Sequence, residues 1–258
     1  MIEVRNLTKE FEGRLVLTNI NATFEKGRVN MIIGKSGSGK TVMLKCLIGL
    51  VQPTSGDILF RNKNIIGWST GKMNKLRRYM GMLFQGSALF DSKTVLENVL
   101  FPLEMFSDQT KKERQVRAEF CLDRVNLSHA LDLYPSEISG GMMKRVAIAR
   151  AIALNPTYLF CDEPNSGLDP QTSHLIDELI EDITIEYNMT TIVVSHDMNS
   201  VLNIGDYVLF LSEGVKEWEG SKHEVMNTTN DKLNDFVFAS NLFKKIKEAE
   251  EQIGNSDI

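Results

Sequence analysis

Two groups of residues in this chain have the types and spacing that phosphoryl chemistry requires. The first is Gly34-Lys-Ser-Gly-Ser-Gly-Lys-Thr41, which fits the pattern G-x-x-x-x-G-K-[ST]. Glycines let backbone N–H groups turn inward around phosphate oxygens with no Cβ in the way. Gly34, Lys35, Ser36, Gly37, Ser38 and Gly39 would form that cradle. Lys40 is long enough to reach the β- and γ-phosphates of a nucleotide, and the Thr41 hydroxyl suits Mg2+. The second group is Asp162-Glu163, which ends the apolar run Tyr158-Leu-Phe-Cys161. A carboxylate delivered by an apolar strand is costly to bury without a partner. Asp162 reads as a Mg2+ partner, direct or through water. Glu163 then orients and activates the attacking water.

Four further features are plain when taken singly. Gln85 ends the run Gly81 to Phe84, and His196 follows Thr191 to Ser195. Ile138-Ser-Gly-Gly-Met142 opens a helix, with Ser139 as its N-cap. Gly167-Leu-Asp-Pro170 starts another, with Asp169 as N-cap and Pro170 in the first helical position. A surface Gln, a structural His and two capped helix starts are the ordinary readings.

These residues need a particular set of elements to hold them. Met1 to Lys9 and Asn19 to Phe24 read as strands, and Val29 to Ile33 is an apolar strand that enters the glycine-rich loop. A helix follows to about Leu50, and Gly81 to Phe84 is another strand. From about Asp91 to Pro156 the pattern turns helical, with helices around Lys111 to Val125 and from Gly141 to Leu154. Strand–helix alternation returns with Tyr158 to Asp162, Pro170 to Tyr187 and Thr191 to Ser195, then a hairpin turning at Glu213-Gly214. The layout is α/β: a nucleotide-binding core of residues 1–90 and 157–230, with a helical subdomain of residues 91–156 inserted in it. The long separation between Lys40 and Asp162 is filled by that insertion. No internal repeat is present, so the chain holds one nucleotide-binding half and dimerisation is expected.

Beyond this, residues 231–258 form a tail in which Leu233, Phe236, Val237, Leu242, Phe243 and Ile246 have roughly helical spacing. It either packs on its own domain or docks a second copy or related subunit, or an accessory subunit. The net charge of −5 and pI near 5.5 argue against general nucleic-acid binding. Cys46, Cys121 and Cys161 are far apart in apolar stretches and read as reduced core residues of a cytosolic protein. The N-terminus runs straight into a strand pattern, so no signal peptide is expected. The longest apolar runs fall well short of the roughly 20 residues that span a bilayer. A soluble chain is expected, with any membrane role supplied by a partner.

Taken in order, the motifs resemble the ABC ATPase family from about residue 2 to residue 225. The resemblance implies a P-loop NTPase (RecA-like) core with an antiparallel β subdomain and an inserted α-helical subdomain. It makes Gln85 the Q-loop residue that senses Mg2+ and water, and Ile138–Met142 the signature. Tyr158–Asp162 becomes the Walker B strand, Asp169 the D-loop acid, and His196 the switch residue on the γ-phosphate. Phe11 matches the aromatic that stacks on adenine, although an aromatic near a strand end is also ordinary core. Two subunits would pair head to tail around two ATP molecules, with Ser139, Gly140 and Gly141 holding the γ-phosphate bound to the partner. The helical subdomain would grip a coupling helix of an integral-membrane permease.

Gly81-Met-Leu-Phe-Gln-Gly-Ser-Ala-Leu-Phe-Asp-Ser92, Thr94 to Leu103 and Glu137 to Val146 are similar to the Mla-type ATPases, which move phospholipid between bacterial membranes. Met142 stands where most signatures carry Gln, Ile138 where they carry Leu, and Asn165 where Thr is usual. The resemblance implies a peripheral ATPase on the cytoplasmic face of the bacterial inner membrane. Its partners would be a permease, an Mce-type lipid-binding protein and a small accessory subunit. The alternatives are an importer ATPase for a small solute such as an amino acid, or a soluble assembly-factor ATPase.

Overall fold

The computed structural model describes residues 1–239. The chain runs β1 (Ile2–Phe11), β2 (Arg14–Phe24), β3 (Arg28–Ile33), α1 (Lys40–Leu47), β4 (Ser55–Phe60), β5 (Lys63–Asn64), α2 (Thr70–Arg77) and β6 (Met80–Leu83). A helical stretch follows: α3 (Val95–Phe106), α4 (Lys111–Arg124) and α5 (Gly140–Ile152). Then come β7 (Tyr158–Asp162), α6 (Pro170–Glu186), β8 (Thr190–Ser195), α7 (Met198–Ile204), β9 (Tyr207–Ser212), β10 (Val215–Gly220), α8 (Lys222–Val225) and α9 (Asp231–Val237).

The larger sheet has the order β10-β9-β3-β8-β7-β6, parallel except for the β9–β10 hairpin. Its central strands β3, β8 and β7 are buried at nearly every position and mainly apolar, as a sheet covered on both faces requires. Alternation decides what covers each face. Met31, Ile33, Leu159, Cys161 and Val193 point into a core shared with the helices α3 to α7. Ile32, Tyr158, Phe160, Ile192 and Val194 point the other way, onto α1 and the antiparallel sheet β2-β1-β4-β5. This is the P-loop core with a β subdomain and a helical insertion that the motifs implied.

Several elements differ from the sequence expectation. β2 starts at Arg14, five residues before Asn19; the first half escapes the pattern because Asn19 has φ +51° and interrupts the alternation that marks a strand. The pairing of β1 with β2 accordingly shifts register between Leu7 and Glu10. β6 ends at Leu83, which leaves Phe84 outside the strand and exposed. α2 gives little apolar signal, since Met73 is its one buried residue.

The three cysteines are buried and unpaired. In the tail, Leu233, Phe236 and Val237 are buried in the main core, and the Phe236 ring lies 5.4 Å from that of Phe210. Leu242, Phe243 and Ile246 lie outside the described residues. Among the described residues no helix is long and apolar enough to cross a membrane.

Candidate nucleotide site

Parallel neighbours β3, β8, β7 and β6 end on one edge of the sheet, which is where open α/β sheets place their ligands. The glycine-rich loop leaves β3, Asp162 closes β7, His196 follows β8, and Gln85 comes two residues after β6. Four segments far apart in sequence thus meet at one rim.

The loop is shaped by its glycines. Gly37 and Gly39 have φ +81° and +103°, which few other residues adopt. At Gly34 a Cβ would sit 2.2 Å from the Leu211 carbonyl oxygen and 2.7 Å from Ser38 Oγ. Gly39 occupies the N-cap of α1 and offers no side chain to the first helical N–H groups. Those donors stay free, and with the helix dipole they favour an anion. Ser38 Oγ is buried without a hydrogen-bond partner, as suits a cradle awaiting phosphate oxygens.

Lys40 is only 7% exposed and donates to the carbonyls of Gly34 (2.8 Å) and Lys35 (3.2 Å). Burial lowers its pKa, opposed by Glu163 and Asp162; Glu163 Oε1 lies 3.9 Å from its ammonium. The Thr41 hydroxyl donates to Asp162 Oδ1 at 3.2 Å. Burial raises the Asp162 pKa, the Thr41 hydrogen bond lowers it and Glu163 raises it further. A divalent cation beside Asp162 would offset that desolvation, and hydroxyl and carboxylate oxygens are the donors Mg2+ takes. Among the described residues no three His, Cys, Asp or Glu side chains are placed to hold a metal ion by themselves. Thr41 and Asp162 could therefore hold the ion only together with phosphate oxygens or water.

Glu163 sits at φ +49°, a strained setting for a non-glycine residue, with its N–H fixed on the Val194 carbonyl at 2.9 Å. Its Oε2 meets His196 Nδ1 at 2.8 Å. Lys35, Ser36, Glu163, Ser166 and His196 line a cleft of about 580 Å³. Gln85 reaches the same neighbourhood differently, since its side-chain amide donates to Ser166 Oγ at 3.2 Å.

The remaining candidates lie elsewhere. Phe11 is 43% exposed at the end of β1, with the Lys9 ammonium 4.5 Å from its ring centroid. Asp169 caps α6 by accepting from the Thr172 N–H (3.0 Å) and hydroxyl (2.6 Å), and those bonds lower its pKa. Ser139 caps α5 by accepting from the Met142 N–H at 3.2 Å. Ser139, Gly140 and Gly141 are not among the residues lining the cleft beside Lys35 and Glu163. Gly141 lines a separate pocket with Thr172.

Three side chains make contacts that escape a linear reading. The buried Lys144 ammonium donates to the Gln85 carbonyl. Arg150, also on α5, donates to the carbonyls of Ser87 (2.7 Å) and Ala88 (2.8 Å). Asn165 donates to Asp177 Oδ1 (2.7 Å) and Ser200 Oγ (3.0 Å), tying the loop after Glu163 to α6 and α7. Asp177 shares a helical face with Ile180 and Thr184, so an acid on a buried face was its signal.

The family described as ABC transporter matches residues 17–166. The intermembrane phospholipid transport system ATP-binding protein MlaF of Haemophilus influenzae is 37% identical over 237 residues, 92% of this chain and 90% of that protein. The arginine transport ATP-binding protein ArtM of Bacillus subtilis is 37% identical over 92% of this chain and 98% of its own. Among solved structures, cbiO1 of Clostridium perfringens, part of the transporter complex cbiONQ, has a TM-score of 0.84 and 30% identity, covering 97% of this chain and 98% of that one. The ATP-binding cassette MJ0796, a dimer in a post-hydrolysis state bound to ADP and Pi, has a TM-score of 0.78 and 33% identity, covering 86% and 99%.

Proposed function

Since the chain belongs to the ABC transporter family, as one of its ATPases, we propose that it is the motor subunit of a bacterial phospholipid transporter. The observation that carries the ATPase site is the Glu163–His196 contact at 2.8 Å beside the glycine loop and Lys40. Gly34 to Gly39 and the first turn of α1 bind the ATP phosphates, and Lys40 neutralises the charge that builds on them. Thr41 and Asp162 would hold Mg2+, with Gln85 nearby through its bond to Ser166, and the ion would supply further charge neutralisation at the phosphates. Glu163 takes a proton from water as the water oxygen bonds to the γ-phosphorus. The bond from that phosphorus to the β,γ-bridging oxygen breaks, and ADP and phosphate leave. His196 fixes the carboxylate during this step.

Two copies pair head to tail, so that Ser139, Gly140 and Gly141 of one meet the γ-phosphate on the other, with Asp169 at the shared interface and Phe11 against adenine. The separation of the signature from its own loop supports this, as does the dimeric state of the similar MJ0796 cassette. A permease coupling helix fits the apolar groove of about 630 Å³ that Phe84, Phe90, Phe101, Pro102 and Phe106 line with Arg77 and Arg78. The ATPase then sits peripherally on the cytoplasmic face of the inner membrane.

Phospholipid as cargo is supported by the runs Gly81–Ser92 and Glu137–Val146 and by the similarity to MlaF over nearly its whole length. An Mce-type lipid-binding protein and a small accessory subunit complete that assembly. A second reading, import of an amino acid, has support at the same identity from ArtM and at slightly higher identity from the methionine import protein MetN of Corynebacterium glutamicum, which is 39% identical over 88% of this chain and 64% of its own length. Affinity purification of the tagged chain from gently solubilised membranes separates the readings. A permease with an Mce-type protein is the expected result. A permease with a solute-binding protein would replace the cargo, and soluble partners alone would refute the transporter.

A further inference from the structure

Charge along the chain is distributed unevenly. Residues 58–90 contain Arg61, Lys63, Lys72, Lys75, Arg77 and Arg78, six of the chain's 29 bases, and none of its 34 acids. The rest of the chain is therefore net −11. The bases gather on the β4–β5 turn and α2. Arg77 has a structural task, since it donates to the Gly49 carbonyl at 2.8 Å behind α1. Lys63, Lys72 and Lys75 have no such task. They are exposed and line a shallow basin of about 490 Å³ with Trp68, Leu76 and Tyr79. No ion pair among the described residues uses any of these three lysines. Lys72 Nζ lies 4.1 Å above the Trp68 ring, and Tyr79 is 58% exposed.

We propose that this face, from the β4–β5 turn across α2 to Tyr79, rests on the anionic phospholipid headgroups of the membrane that holds the permease. The inference depends on the transporter reading above for its orientation. α2 contributes Asn74, Arg77 and Arg78 to the wall of the apolar groove, so the basin adjoins the place where the permease docks. A permease in that groove turns the basin toward the surrounding bilayer surface. The charge suits lipid better than it suits the permease: cytoplasmic loops of membrane proteins are themselves rich in Lys and Arg, whereas the leaflet surface is negative. Trp and Tyr are the side chains that settle at headgroup level. The acidic remainder of the chain is repelled from the same surface, so a single face is selected.

Flotation of the purified full chain with vesicles tests this. Vesicles of phosphatidylcholine alone are compared with vesicles holding about 30% phosphatidylglycerol, each at about 50 and about 300 mM salt. The expected result is flotation with the anionic vesicles only, weakened by salt. The combined variant Lys63→Gln, Lys72→Gln, Lys75→Gln should bind on the order of 100-fold more weakly, at roughly 1 kcal/mol for each lysine at the surface. Its basal ATPase activity should be unchanged, since no lysine of the three touches the nucleotide site. Equal binding by the variant, equal binding to neutral vesicles, or no flotation of the wild type would each overturn the proposal. Loss of the co-purifying permease in the variant with vesicle binding intact would assign the face to protein instead and overturn it too. Co-purification reports on the transporter reading independently, so failure of one is told apart from failure of the other.

Discussion

Asp177→Asn is the substitution whose outcome the structure lets us calculate. Asp177 is 3% exposed on α6, and burial lifts its carboxyl from an ordinary 3.8 to about 6. Hydrogen bonds from Ser200 and Asn165 pull it down, Asp197 pushes it up and His174 opposes that. A carboxyl raised in the folded state binds its proton more tightly there than in the unfolded chain. Its stabilising contribution is complete below an unfolded pKa near 3.8 and is lost as pH rises through about 6. At ~1.4 kcal/mol per pKa unit the full loss is about 3 kcal/mol, and roughly half of it falls between about pH 5 and about pH 8. Asparagine is neutral throughout and can still accept from Asn165 or Ser200. It also brings an N–H for Asn165 Oδ1, a buried atom with no partner. The variant should gain on the wild type as pH rises, by about 1.5 kcal/mol between those two pH values. Urea unfolding of both proteins across that range measures the gap, in which all other titrations cancel. A gap that stays constant with pH would refute the argument, because it would mean that Asp177 is not titrating from its buried setting.

Other outcomes follow from the site and the core. Glu163→Gln should bind ATP as before while hydrolysis falls on the order of 100- to 10,000-fold, and near-normal turnover would remove its role as base. Lys40→Ala should lose both properties, since it removes the ammonium held on the loop carbonyls; titration calorimetry with ATP reads this. Gly34→Ala drives a methyl to 2.2 Å from the Leu211 carbonyl oxygen, so ATP affinity should fall at least about 10-fold and stability by about 1–3 kcal/mol. Phe236→Ala empties a site in the main core against Phe210 and should cost about 3 kcal/mol in denaturant unfolding.

The glycine loop and Asp162-Glu163 could be read from the sequence because local pattern determines both. An apolar strand, a turn only glycine tolerates and a helix start lie within one stretch, as do β7 and its two acids. Gln85 was recognisable by its place after a strand, but its bond to Ser166 was not. That contact joins residues 81 positions apart and depends on how the loops pack at the sheet edge. Lys144 is the same problem in stronger form. A lysine in a helix ordinarily reads as solvated, and only the return of α5 onto the turn after β6 buries it. Asn165 read as a simple departure from the usual Thr, whereas it anchors a bridge to Asp177 and Ser200. β2 and α2 were obscured for a local reason, the kink at Asn19 and the mostly polar sequence of α2.

Lys144 and Arg150 have a mechanical meaning. Both cations on α5 end on main-chain oxygens of residues 85–88, the turn that borders the apolar groove through Phe84 and Ala88. The turn is thereby tied to the helix at two points about a turn and a half apart along α5. Ser139 is at the far end, eleven residues from Arg150, or roughly 17 Å along the axis. One helix thus carries the Ser139 cap at its start and the cations that hold the groove's border further along. Because the acceptors are peptide oxygens, these bonds depend on the backbone shape of the turn, in which Ser87 and Ala88 sit at φ +60° and +49°, and not on any side-chain atom at 85, 87 or 88.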